Sequence, residues 1–265
     1  MKKVVLAIII IVLNMLSSCD RHIDVFTFKT DHFVNKYYKL ENISCDYYTD
    51  NNTIYIELKS EIGNTIDDRN DGSLFEYLYN KHNDNGFNFT TKNQGSGFNG
   101  YSAISSDFSS INISSNKNFD IAHPGGTSLN DIISFTTISP YTYIKSSYKK
   151  RYNITDSEKN RYPINLFYPT KEYHYGDTIK YKNNYPWHLI EKKVSDLSAN
   201  DLILIGQPLW INEFISYSQY LFPRINVLAV LQLPEPEEKG THTFTITVTD
   251  DRYKKYQSSI DITFE

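Results

Sequence analysis

Gly240-Thr241-His242-Thr243-Phe244-Thr245-Ile246-Thr247-Val248-Thr249-Asp250 decides the fold class. Phe244, Ile246 and Val248 alternate with threonines, which is the period of a strand with one buried and one wet face. Asp250-Asp251-Arg252 supplies turn residues, and Ile260, Ile262 and Phe264 then alternate again. Together they predict a C-terminal β-hairpin. Earlier in the chain, Thr53-Ile54-Tyr55-Ile56-Glu57-Leu58-Lys59 has the same period, with Ile54, Ile56 and Leu58 directed inward and Tyr55, Glu57 and Lys59 outward. Residues 225–233 are apolar enough for a central strand, closed by Pro234-Glu235-Pro236. Weaker strand signals fall at 25–28 and 43–48, and further strands are expected at 132–138, 177–182 and 202–205. The 22 tyrosines and 15 phenylalanines suit half-buried pleated surfaces.

Two short helices interrupt this pattern. Ser73-Leu74-Phe75-Glu76 has the form of a capping box, with Ser73 as N-cap. The helix it starts would run to about Asn80 and bury Leu74, Phe75 and Leu78. Residues 211–222 carry apolar side chains at helical spacing and stop at Pro223. The fold class expected is mainly β, with a sandwich at the C-terminus and a β-rich N-terminal part carrying a short helix.

The stretch 240–250 resembles the penultimate strand of immunoglobulin-like sandwich modules of the PKD type. In that family a Gly-x-Tyr-x-aliphatic start precedes a Thr-Val-Thr-Asp end, and His242 stands here where the tyrosine is common. The resemblance implies an Ig-like sandwich and speaks to fold alone.

Residues 145–161 hold six Lys or Arg against two acids and almost no aliphatics. Such a run reads as a linker or long loop. The organisation expected is a signal segment at 1–18, a cysteine and tether at 19–24, a β-rich domain at 25–144, a linker at 145–165 and an Ig-like domain at 166–265.

Lys2 and Lys3 precede an unbroken apolar run at 4–13, which is the layout of a secretion signal and is too short to span a bilayer. Leu16-Ser17-Ser18-Cys19 then resembles the lipobox of bacterial lipoproteins: an aliphatic residue, two small residues and Cys. The resemblance implies lipidation of Cys19, cleavage before it and a firm membrane anchor. The Asn/Tyr/Lys-rich composition resembles uncharacterised envelope lipoproteins of the Bacteroides type. It implies an outer-membrane position, facing the cell surface or the periplasm.

Losing Lys2 and Lys3 with the signal takes the formal charge from −4 to −6. A mildly acidic chain is no candidate for nucleic acid, which calls for a basic patch. With Cys19 lipidated, Cys45 has no intrachain partner and reads as a structural thiol. Asp67-Asp68-Arg69-Asn70-Asp71-Gly72 fails an EF-hand register at Arg69 and at Leu78, so it reads as a polar turn. His22, His32, His82, His123, His174, His188 and His242 show no metal-ligand spacing, and His123-Pro124-Gly125-Gly126 is a turn by composition. The chain has no Gly-x-Ser-x-Gly elbow, Walker loop or dinucleotide fingerprint. No catalytic residue, metal or cofactor is assigned.

Tyr185-Pro186-Trp187-His188 is the candidate recognition loop, with Tyr185, Trp187 and His188 as ligand-binding residues. A rigid aromatic face with polar neighbours suits a glycan or a protein partner. Trp210, between Leu209 and Ile211, reads as core. Asp177-Thr178-Ile179 matches a short O-glycosylation sequon, with Thr178 as acceptor. The function expected is a membrane-anchored, non-enzymatic binding or structural module. The alternatives are a hydrolase of envelope or dietary polymers, and a subunit of an envelope transport or fimbrial assembly.

Overall fold

The C-terminal hairpin forms in the register that its alternation demands. The computed structural model describes residues 25–50, 53–94, 101–153, 184–185, 187–206 and 224–265. Strand β12 (Gly240–Asp250) pairs antiparallel with β13 (Lys255–Phe264), from Gly240 opposite Phe264 to Thr249 opposite Lys255. Phe244, Ile246 and Val248 are fully buried. On the opposite face Thr241 and Thr263 share a hydrogen bond at 2.9 Å, and Thr243 donates to Asp261 at 2.7 Å. These cross-strand pairs are the usual stabilising unit of a wet sheet face. On the other side of β12 lies β6 (Phe108–Ser115), completing a three-stranded sheet ordered β13-β12-β6.

The larger sheet has six strands among the described residues. It is built from β2 (Val34–Asp50), β3 (Thr53–Ile66), β5 (Tyr101–Ile104), β7 (Ser134–Ser139), β10 (His188–Lys193) and β11 (Arg224–Leu233). Its order is β10-β7-β11-β3-β2-β5, and every pairing is antiparallel except β2 with β5. Ile56, Leu58, Phe135 and Leu231 from this sheet share one core with Ile113, Phe244, Ile246 and Val248 from the smaller one. The arrangement is a β-sandwich, and the chain is mainly β.

A second core holds Tyr37, Ile66, Phe75, Leu78, Ile138, Tyr143 and Val230. It draws on two helices, α1 (Gly72–His82) and α2 (Tyr141–Lys145), as well as on the six-stranded sheet. Strand β3 therefore contributes to both cores. Ile56 and Leu58 point inward as expected, but Tyr55 packs against the second core and Glu57 is only 5% exposed. The period of two holds, but the second face of this strand packs on protein instead of meeting water.

The order of strands removes the boundary expected at 145–165. Strand β11 follows that stretch in sequence yet lies between β3 and β7, which precede it. Likewise β12 and β13 take their third strand from residues 108–115. The described strands on either side of that stretch interleave in both sheets instead of forming separate domains. Strands β1 (Val25–Thr30) and β4 (Phe89–Gln94) make a two-stranded sheet of their own, within a compact unit distinct from the remainder. Strands β8 (Tyr152–Asn153) and β9 (Asn184–Tyr185) form another short pair.

Two local expectations change. The N-cap of α1 is Asp71, whose carboxylate accepts the Leu74 amide at 3.2 Å, so Ser73 lies inside the helix. Residues 202–205 do not form a strand. A capping box between Ser198 and Asp201 starts a 3₁₀ turn over Ala199–Leu202, and Leu204 follows at φ +50° with its amide bonded to Asp107. No helix among the described residues is long and apolar enough to cross a membrane. Cys19, Thr178, Trp210, the strand expected at 177–182 and the helix expected at 211–222 lie outside the described residues.

Candidate functional site

Residues 116–127, after β6, and residues 234–239, before β12, meet at one end of the three-stranded sheet. The Glu237 amide joins them by donating to the Phe119 carbonyl at 2.8 Å. Turn chemistry shapes the first loop. Gly126 has φ +85°, and its amide donates to Ser115 O at 2.6 Å. A Cβ on Gly125 would stand 2.7 Å from the Asn116 carbonyl oxygen, so only glycine fits that close approach. The turn read from His123-Pro124-Gly125-Gly126 is present.

His123 locks the loop from both sides. Its Nδ1 donates to Asp120 Oδ1 at 2.7 Å, and its Nε2 donates to the Asp131 carboxylate at 3.0 and 3.1 Å. The same Asp120 oxygen accepts the Ala122 and His123 amides at 2.8 and 2.9 Å. The Asp120 bond raises His123 above its ordinary value, partial loss of solvent opposes this, and Asp131 adds to the rise. Loss of solvent pushes Asp120 up, but the bonds from His123 and Ala122 outweigh it and hold the carboxyl below its usual range.

These loops enclose an open cleft of about 440 Å³, lined by Phe119, Asp120, Ile121, Pro124, Glu237 and Glu238. Ile121 is 93% exposed. The Glu237 and Glu238 carboxylates have no ion-pair or hydrogen-bond partner among the described residues. Nearby, the fully buried His242 donates from Nε2 to Glu238 O at 2.7 Å and accepts the Ser115 hydroxyl on Nδ1 at 2.9 Å. His242 thus makes the polar contacts that its place in a buried strand position requires.

A second polar cluster ties α1 to the β12–β13 turn. His82 is 2% exposed; its Nε2 lies 2.9 Å from Asp107 Oδ2 and its Nδ1 lies 3.2 Å from the Tyr37 hydroxyl. Lys81 bridges Asp107 and Asp251 at 2.6 and 2.7 Å. Burial pushes the Asp107 carboxyl up, yet the His82 bond and the Lys81 charge hold it below its ordinary range. In His82, His123 and His242 alike, both ring nitrogens are engaged within the protein. None offers a free nitrogen to a substrate. No group of three or more His, Cys, Asp or Glu among the described residues is placed to hold a metal.

The loop chosen from sequence is differently placed. Trp187 is 3% exposed and belongs to the second core, which corrects the expectation that it presents an open aromatic face. An indole buries more apolar area than almost any side chain, and that core takes it up. Tyr185 pairs with Tyr152 through the β8–β9 backbone. His188 is half-buried, with its ring 5.6 Å from that of Tyr152. Burial and the charge of Lys150 both lower its pKa. Cys45 carries a free thiol that burial pushes up to about 11, against a hydrogen bond with Ser258.

Sequence reasoning passed over Ile121, Glu237 and Glu238. A lone isoleucine among Asp, Ala and His has no period, and nothing in the sequence singles out the two glutamates that follow the Pro234-Glu235-Pro236 turn. Comparison with protein-family models, curated proteins and solved structures finds no match to this chain.

Proposed function

We propose that this chain is a lipid-anchored envelope protein, held in the outer membrane through Cys19, that works as a non-enzymatic binding or structural module. The observation that supports binding is the cleft at residues 116–127 and 234–239. Its size lies within the range of ligand sites, and apolar Phe119, Ile121 and Pro124 converge there with two unpaired carboxylates. That lining suits a glycan or protein segment that brings apolar surface together with a positive charge or hydroxyl donors. His82 and His242 are buried away from any substrate and His123 is held between two carboxylates, which supports this reading over a hydrolase that would use these three rings. The Ig-like likeness of the last hairpin belongs to the same proposal, supported by a small antiparallel sheet packed on a larger one.

Placing a photo-cross-linking residue at position 121 in the native envelope tests the site. A control at Tyr47, itself 48% exposed, reports chance neighbours. One discrete adduct from 121, absent from 47 and lost when Glu237 and Glu238 are changed to Lys, is the expected result. No adduct from 121, or the same adducts from both positions, overturns it. For the anchor, Cys19→Ala should abolish fatty-acid incorporation and release the protein from membranes.

A further inference from the structure

The exposed charge of this acidic chain is strongly uneven. Lys145, Lys149, Lys150 and Arg151 lie within seven residues at the end of α2, and all four are exposed. Lys145, Lys149 and Lys150 have no carboxylate partner among the described residues. The segment is not a loose tail. Ser146 Oγ donates to Tyr143 O at 2.8 Å and accepts the Lys149 and Lys150 amides at 3.3 and 2.8 Å. Ser147 and Tyr148 both have positive φ, 54° and 61°, a conformation that side-chain-bearing residues hold only when their surroundings impose it.

The imposing contact is visible. The Tyr148 hydroxyl donates to the fully buried Asp84 at 2.8 Å and accepts the Gly86 amide at 3.3 Å. Its ring meets Phe87 and Tyr143 edge-on at 5.2 and 5.6 Å. Arg151 lies over the Tyr143 ring at 5.4 Å and Lys145 over Tyr141 at 5.7 Å. The result is a stiff cationic knuckle interleaved with tyrosines.

We propose that the Tyr141–Arg151 knuckle is a second membrane contact, docking on the phosphate-bearing headgroups of an anionic bilayer. Charge complementarity selects that occupant: exposed lysines held on a stiff turn suit the phosphate layer of an anionic bilayer. The inference rests on the reading of the chain as lipid-anchored, which would hold the protein at a bilayer. Docking would restrict how the protein turns about its anchor and so fix which face is offered to a ligand.

The test uses the full chain with Cys19→Ala, to which no lipid can be attached. Binding to phosphatidylcholine vesicles is compared with binding to vesicles containing phosphatidylglycerol, at low and high salt. The expected result is tighter binding to the anionic vesicles, with the excess lost at high salt. The triple variant Lys145→Gln, Lys149→Gln, Lys150→Gln should lower that partition about a hundredfold. Circular dichroism checks that the variant stays folded. Equal binding to both vesicles, an excess that survives salt, or an unchanged triple variant overturns the proposal. So does competition by a soluble sulfated polysaccharide with no preference between vesicles, which would assign the knuckle to glycans. Failure of the anchor reading shows separately, as unlipidated Cys19 in the native protein with the anionic preference intact.

Discussion

Asp84 shows how much one buried carboxylate can organise. It is fully buried and accepts the Phe33 and Val34 amides at 2.8 and 2.7 Å, besides the Tyr148 hydroxyl. Burial pushes its pKa above the ordinary range against those bonds. Asp84→Ala strands two backbone donors away from water and frees the strained Tyr148 turn. It should cost about 3 kcal/mol in urea unfolding, a large share of a typical 5–15. A loss below about 0.5 kcal/mol would mean that water replaces the carboxylate. His123 gives the pH test. Its pKa is raised in the folded loop, so its contribution is complete below the unfolded value of about 6.5 and fades as pH rises through the folded one. Amide exchange of Phe119 and His123 should therefore quicken on alkaline titration above that point, beyond the intrinsic base catalysis seen in unfolded chain. His123→Gln should remove this extra step; an unaltered profile would show that the loop does not depend on the imidazolium. Neither residue's role was legible in the sequence. His123 was read correctly as part of a turn, but its two carboxylate partners are assembled by folding. Asp84 sits among Asn83, Asn85 and Gly86, where composition suggests only a loop.

The hairpin is the element that sequence specified most fully, because a buried face and a wet face write themselves as a period of two. Helix α1 was nearly as clear in extent, yet its cap was misplaced by two residues: Asp71 and Ser73 are both good N-caps, and only the backbone decides between them. The 3₁₀ turn over Ala199–Leu202 and the turn at Leu204 were hidden because an apolar run of four fits a strand as well as a buried turn. Strand β13 offers a direct test. Ile262 and Phe264 are 1% and 6% exposed and close the core opposite His242 and Gly240. Phe264→Ala should cost about 3–5 kcal/mol, and deleting residues 260–265 should leave the protein insoluble. A soluble truncation with an unchanged melting temperature would make the strand peripheral. Thr245→Val, on the wet face, changes stability by less than about 1 kcal/mol and serves as the control.

At the scale of the molecule, composition and periodicity identified a mainly β chain but not which strands become neighbours. A polar, basic stretch at 145–165 looks like a linker whether it joins two domains or two layers of one. The structure separates the cases, since β11 fills the place between β3 and β7 while β12 sits beside β6. Ile56 and Phe135 from before the stretch and Leu231, Phe244 and Ile246 from after it occupy one core. Neither half can bury its apolar face alone, and residues 25–144 without β11 leave open edges on both β3 and β7. Cutting the backbone within 145–165 should therefore yield two fragments that lack a cooperative transition apart. Refolded together they should recover one, because the contacts that define both sheets run between them. In the intact chain, far-UV and near-UV signals from the sandwich should coincide in a single urea transition. Two well-separated sandwich transitions, or a 166–265 fragment with a sharp transition of its own, would restore the boundary. A single cooperative sandwich also bears on recognition: the cleft loops at 116–127 and 234–239 come from opposite sides of the basic stretch, so a cut that unfolds either half abolishes cross-linking from position 121.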